Sequence, residues 1–485
     1  MDDDWDAIIV GSGAGGSAAA FRLATGGCRV LVLEKGAPLP HDGSTLDAEI
    51  VLREGRFKNH EPWRDGNGAP FVPQEYYNLG GKTKWYGAAL VRFGSHEFAD
   101  DPAHQCRGWP FAYEELAPYY EQAEHLLGVR RFTVEPDTRR IAAALERVAH
   151  AWQVEPMPLG LAPEILEHPE EAVRFDGFAS VRGLKGDAEV RLLDLLRERP
   201  GVRIETNREA VALIGDDAAP QRIRGVVTAD GARVHARAVL LAAGALSSPR
   251  LLQEHLRATG LDASLPAAGS VGRNYKSHLL TAVVGWSPRR KTDRLRKTVV
   301  MTSAAFAHSS VQPLGATDAE IVATELPAFM PRWVANLVGS RAYGFFLQTE
   351  DGSHPDNRVN AANGIDRPQL DYDRDRIAPA RDEHRRFVHA FCLDLLRTGM
   401  IPIVKPVPLS GTAHACGTLI TGTDPATSVV DPFGKVHGMD GLYVVDGSVL
   451  PRSSRVNPAL TIYAWALRIT DRLAPELGFH PGENR

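Results

Sequence analysis

The sequence predicts an α/β fold combined with an α+β one. A Rossmann-like dinucleotide-binding domain, discontinuous along the chain, is joined to a substrate domain built on a mostly antiparallel sheet. Three observations predict this. An apolar strand, a glycine-rich turn, a small-residue helix and a second apolar strand follow one another between Asp6 and Glu34. Strand-like runs return at 201–214 and 234–242, and again at 442–445 ahead of a helical pattern at 460–473. In between, residues 276–400 alternate short β-rich runs with turn clusters such as Ser353-His354-Pro355-Asp356-Asn357.

Each element has its own reason. Residues 6–10 (DAIIV) are apolar and partly β-branched, the pattern of a strand buried on both faces. The turn Gly11-Ser12-Gly13-Ala14-Gly15-Gly16 leads into a helix marked by Ala18, Ala19, Ala20 and Leu23. Residues 29–33 (RVLVL) form the second strand, which ends at Glu34. In such a unit Gly11 permits the tight turn, Gly13 lets the backbone approach a pyrophosphate, and Gly16 lets the helix pack on the strand. The helix start at Ala14 presents free N–H groups and a positive dipole end to phosphates. Eighteen positions separate Gly16 from Glu34, close to the ~20 expected for a carboxylate on ribose hydroxyls. That carboxylate repels a 2′-phosphate and argues against NADP.

Composition narrows the function classes. The chain has 485 residues, 44% hydrophobic and 24% charged, ordinary for a globular protein with several cores. Lys+Arg 55 against Asp+Glu 60 leaves a net charge of −5, with no basic excess to follow a nucleic-acid backbone. Cys28, Cys106, Cys392 and Cys416 are too far apart for a zinc, redox or disulfide motif, and no metal site is expected. Asp2, Asp3 and Asp4 replace the basic segment of a signal peptide, and no apolar run nears the ~18 residues of a membrane span. A soluble cytoplasmic protein without membrane partners is expected. Gly269-Ser270-Val271-Gly272 lacks the spacing of a second dinucleotide fingerprint, so nothing points to NAD(P)H feeding a flavin.

The C-terminal stretch runs His414-Ala415-Cys416-Gly417-Thr418, Thr423-Asp424-Pro425, Ser428-Val429-Val430-Asp431 and Val436-His437-Gly438. It continues with Leu442-Tyr443-Val444-Val445-Asp446-Gly447-Ser448 and Asn457-Pro458-Ala459-Leu460-Thr461. This order resembles the glucose–methanol–choline (GMC) family of FAD-dependent alcohol oxidoreductases. Asn78-Leu79-Gly80-Gly81-Lys82-Thr83 resembles the family's flavin loop, residues 242–250 (AAGALSSPR) its A-G-A block, and Val271-Gly272-Arg273-Asn274 with His278 its V-G-R-N…H. Gly108-Trp109-Pro110 with Leu116, Tyr119 and Tyr120 is similar to the subgroup containing pyranose oxidase and gluconate-type dehydrogenases.

The resemblance implies FAD rather than NAD, and FAD-binding parts at 1–98, 181–275 and 413–485. It places a cap segment at 99–180 and the substrate domain at 276–412. It implies cofactor contacts at Gly81 and Thr83, at Val211 beside adenine, at Asp446 and Gly447 near the pyrophosphate, and at Pro458, Leu460 and Thr461 facing the isoalloxazine. Trp85 and Tyr86 stand where some relatives tether FAD to a histidine, so FAD is expected to be non-covalent. A neutral histidine suits removal of a hydroxyl proton, since its ordinary pKa of ~6.5 lies near working pH. His414 matches the family's catalytic histidine, and Asn457 the second active-site position. His278 and His437 are expected to be structural, and Cys416 a packing residue. Leu419-Ile420-Thr421-Gly422 departs from the family pattern beside the site, so a relative's substrate does not carry over.

The implied activity is oxidation of CH–OH to carbonyl on a sugar, glycoside or cyclitol, with hydride passing to flavin N5 and O₂ or another acceptor reoxidising the flavin. Two alternatives stay open. One is a dehydrogenase tailoring an amino sugar or other natural product; the other is a redox-neutral flavin-bound lyase.

Overall fold

In the computed structural model the strand Trp5–Val10 pairs in parallel with Val30–Leu33 on one side and Arg233–Leu241 on the other. The structure describes residues 5–315, 317–325, 327, 330–361 and 367–479, so the acidic stretch Asp2–Asp4 lies outside the described residues. Val202–Glu205 extends the sheet beyond Val30–Leu33, and Leu442–Val444 pairs in parallel with the far end of Arg233–Leu241. Both ends and the middle of the chain thus supply one parallel sheet. The central strands Trp5–Val10 and Val30–Leu33 are covered on both faces, which is why they read as unbroken apolar runs. The strands Ile223–Thr228 and Ala210–Gly215 add an antiparallel wing.

Two helices from opposite ends of the chain pack together on this sheet. Ala14–Thr25 packs against Ala459–Glu476, and its Ala18, Ala19 and Ala20 are fully buried, their small side chains allowing a close approach of its neighbours. Arg22 pairs with Asp471 at the rim of that contact. Trp465, fully buried, donates its indole N–H to the Val444 carbonyl at 3.0 Å and ties the C-terminal helix to the sheet.

The second sheet has six antiparallel strands, in the order Ile401–Pro406, Leu279–Trp286, Ala342–Thr349, Phe306–Pro313, Val299–Ser303 and Gln153–Pro156. Leu279–Trp286 alternates buried and half-buried residues, the period of a sheet with one packed face. Phe387, Phe391 and Leu395 of the helix Ala378–Arg397 press onto Val283, Phe345 and Leu347. Where the sheets meet, Arg452 forms a two-pronged ion pair with Glu350 at 2.8 and 2.6 Å. Both groups are almost inaccessible. Burial alone would push the Glu350 carboxyl upward, but the guanidinium prevails and holds it below its ordinary value. No helix among the described residues is long and apolar enough to cross a membrane.

Candidate active site

A cavity of about 550 Å³ joins the glycine-rich turn to the loop carrying His414. Gly11 has φ of +105°, and a Cβ there would lie 2.4 Å from the Ala242 carbonyl oxygen. A Cβ on Gly16 would come within 2.0 Å of the Gly11 oxygen, so Gly16 packs behind the loop and not on the cavity wall. A Cβ on Gly13 would meet nothing within 4 Å. The absent side chain of Gly13 therefore leaves open space where the sequence asks for a pyrophosphate. The helix begins at Gly13 without a side-chain cap, so no side chain claims its first-turn N–H groups. This glycine cradle fits a dinucleotide.

The remaining cofactor positions divide between wall and support. Glu34 and Val211 line one end of the cavity with Lys35 and Glu209. The Glu34 carboxylate accepts from the Ser12 hydroxyl at 2.5 Å and the Gly36 N–H at 2.9 Å, and burial raises its pKa. Ser12 also accepts the Gly80 N–H at 3.0 Å, which pins the flavin loop to the glycine turn. Gly81, with φ of +54°, lies against Gly13. Thr83 reaches the wall, but its hydroxyl donates to the Gly80 carbonyl at 2.6 Å and accepts from the Ala188 N–H at 3.0 Å. Both Asp446 oxygens are engaged, by Gly244 and Ser248 on one side and Ser448 on the other. Asp446 shapes the turn, and Gly447 beside it lines the cavity.

Leu460 and Thr461 need correction. Neither side chain lines the cavity: Leu460 lies in the hydrophobic core, and the Thr461 hydroxyl pairs with the Tyr120 hydroxyl at 2.8 Å. Pro458, Ala459 and Ile462 form the wall instead. Helical geometry explains this, since residues three apart share a face and those between them turn toward the core. Trp85 lines the cavity and stacks on Tyr76 with ring centroids 5.0 Å apart. Tyr86 donates to the Gly186 carbonyl at 2.6 Å.

His414 and Asn457 meet at the cavity wall, with Asn457 Nδ2 3.4 Å from His414 Nε2. Two loops bring them together. Gly417, with φ of +84°, has no room for a side chain because its Cβ would lie 2.6 Å from the Asn274 carbonyl oxygen. The Thr418 hydroxyl donates to the Ala245 carbonyl at 2.7 Å, and the Leu419 N–H to the Ser448 carbonyl at 2.8 Å. The motif after His414 is thus sewn to the flavin-side turn. Gln312 Nε2 donates to Asn457 Oδ1 at 2.6 Å. The His414 ring shows surface only in part. Depth in the protein pushes its pKa well below the ordinary 6.5, and the Lys297 and Lys82 cations push the same way. A neutral imidazole is therefore the resting form, as a proton acceptor requires. Cys416, fully buried, has its thiol raised to about 12 and packs without reacting.

Further contacts around the site join distant parts of the chain. His278 Nδ1 lies 2.7 Å from His414 Nδ1, a contact that the structural reading of His278 did not contain. His437 is off the cavity, beside Ser428 and the Gly422 carbonyl. Lys297 and Asp176 pair at 3.0 Å in the wall, and Lys82 pairs with Glu75 at 2.5 Å. Lys185 lies buried beneath the flavin loop and donates to the carbonyls of Lys84 and Tyr86 at 3.0 and 2.9 Å. Gly15 of the glycine-rich turn has no room for a side chain either: a Cβ there would sit 1.8 Å from the Val445 oxygen.

Comparison with known proteins agrees with this geometry. Family models described as GMC oxidoreductase match residues 5–280 and 397–466. Paromamine 6'-oxidase of Streptomyces fradiae is 30% identical, over 98% of this chain and 93% of its own length. 6'''-hydroxyparomomycin C oxidase of Streptomyces lividus is also 30% identical, over 98% and 92%. Among solved structures, pyridoxine 4-oxidase from Mesorbium loti superposes with a TM-score of 0.67 at 21% identity, over 97% of this chain and 99% of that one. A formate oxidase variant from Aspergillus oryzae RIB40 gives 0.67 at 16% identity, over 98% and 99%. With the glycine cradle at one end of the cavity and the His–Asn pair at the other, the chain belongs to the GMC oxidoreductases, FAD-binding enzymes that oxidise alcohol groups.

Proposed function

We propose that this enzyme oxidises a CH–OH group of a sugar, glycoside or cyclitol, with His414 as the base and Asn457 as the group that holds the substrate oxygen. The observation that carries the reading is His414 Nε2 lying 3.4 Å from the Asn457 amide nitrogen at the wall of the cofactor cavity. His414 Nε2 accepts the hydroxyl proton, and the Asn457 N–H orients the oxygen so that the carbinol C–H points along the cavity. FAD, held by the Gly11–Gly15 turn, the flavin loop and the Asp446–Gly447 turn, supplies the hydride acceptor when bound. With tryptophan at position 85, we assign non-covalent binding.

The relatives acting on paromamine and 6'''-hydroxyparomomycin C favour an amino sugar as a second reading. Anaerobic bleaching of the bound flavin against neutral sugars, cyclitols, amino sugars and aryl alcohols separates the two. Bleaching by a neutral sugar or cyclitol is expected; bleaching by amino sugars alone selects the second reading, and bleaching by none refutes both. Acid precipitation of the same sample should leave the flavin in solution, and flavin in the pellet would contradict the non-covalent assignment.

A further inference from the structure

The base has a second histidine behind it. His278 Nε2 lies 2.8 Å from the backbone carbonyl of Ser454, and His278 Nδ1 lies 2.7 Å from His414 Nδ1. The two rings stand at 90° with centroids 4.8 Å apart. A carbonyl oxygen can only accept, so Nε2 of His278 must carry the proton. Neutral His278 then has a bare Nδ1, and His414 must donate its Nδ1–H to it. That leaves the lone pair of His414 on Nε2, facing the Asn457 amide nitrogen at 3.4 Å. Asn457 Oδ1 in turn accepts from Gln312 Nε2 at 2.6 Å.

We infer that His278 is a positioning residue whose hydrogen bond to the Ser454 carbonyl sets the tautomer of His414, so that a one-way chain from Ser454 to Gln312 presents the His414 Nε2 lone pair to the substrate hydroxyl. The inference rests on His414 being the base. The chain starts from a group that cannot reverse. Ser454 has φ of +63°, unusual for a residue with a side chain, and two buried carboxylates hold it there: its hydroxyl donates to Glu97 at 2.6 Å and its N–H to Glu350 at 3.1 Å. The same short loop ends in Asn457, so one backbone segment orients both partners of the base.

In the reaction the substrate O–H bond breaks and a His414 Nε2–H bond forms, while the O–H electron pair stays on oxygen and becomes the second C–O bond as hydride leaves for the flavin. The positive charge on His414 is shared through Nδ1–H with the bare His278 nitrogen. The charged groups facing the two rings are Lys297 and Lys82 toward His414 and Glu350 toward His278. None of them is altered in the test.

The test compares His278→Leu, His278→Gln and His414→Ala by anaerobic flavin reduction across pH, with flavin content and melting temperature measured on each holoenzyme. His278→Leu should reduce flavin about 10²-fold more slowly or worse, with its acid limb moved to lower pH because the imidazolium has lost its acceptor. Glutamine can accept from His414 and donate to Ser454, so His278→Gln should recover most of the rate and keep the wild-type limb. A wild-type rate in His278→Leu overturns the inference, as does a glutamine variant as slow as the leucine one with flavin content intact. A wild-type rate in His414→Ala instead overturns the reading of the base. If the leucine variant fails to fold, ¹⁵N-histidine spectra of the wild-type holoenzyme decide, with His414 assigned by its absence in His414→Ala. The Nδ1–H tautomer is expected, and the Nε2–H tautomer overturns the inference.

Discussion

At the scale of the residue, the proposed role of His414 as a base requires it to be neutral. Burial and the two lysine cations, Lys297 and Lys82, hold its pKa well below 6.5. The acid limb of kcat/KM therefore lies below that value, and activity is lost as pH falls through it. Lys297→Met removes one cation and leaves the Asp176 carboxylate without its partner at 3.0 Å. Both changes favour the imidazolium, so the limb should move to higher pH; a limb that stays or moves down contradicts the assigned electrostatics. His414→Ala should slow flavin reduction by about 10²–10⁴-fold, measured by anaerobic stopped flow.

At the scale of the element, the glycine turn contains glycines kept for different reasons. Gly13 faces open space, whereas Gly15 abuts the Val445 carbonyl. Gly13→Ala should therefore fold and melt near the wild type without cofactor, yet bind FAD at least about tenfold more weakly, a loss of ~1.4 kcal/mol, in a flavin titration. Gly15→Ala should lower the melting temperature of the apoprotein itself, because helix and strand must separate. Equal melting of the two variants would show that the distinction is not real. The start of the C-terminal helix gives a parallel lesson: from sequence, Leu460 and Thr461 look as close to the flavin as Ala459 and Ile462. Only the phase of the helix, set by packing against Ala14–Thr25 and Tyr120, decides which pair faces the cavity.

At the scale of the whole molecule, the two sheets are locked by Arg452 and Glu350, whose side chains are 2% and 0% accessible. Removing one partner leaves a buried uncompensated charge, a loss of ~3–5 kcal/mol. Arg452→Met should thus melt markedly earlier and retain less flavin, since Glu350 also holds the Ser454 loop. Unchanged melting at neutral pH would refute the role. Because the Glu350 pKa is depressed, the stabilisation is present above its ordinary 4.5 and is lost as pH falls through the lower folded value. Loss of stability on the alkaline side would have a different origin.

How much was legible follows from distance along the chain. The strand–turn–helix unit, the antiparallel sheet and the His414 and Asn457 motifs are written in neighbouring residues, and local geometry lets each be read directly. Gly11, Gly13 and Gly16 could be given separate tasks because adjacent atoms impose them. His278 and Gln312 could not be placed: 136 positions separate His278 from His414, and 145 separate Gln312 from Asn457. The sequence by itself determined the cofactor turn, the family and the His414–Asn457 pair proposed to act in it. Tertiary structure alone decided which groups flank His414 and which helix face meets the cavity. Hydrogen-bond polarity and helix phase depend on partners that only folding brings within 3 Å or so.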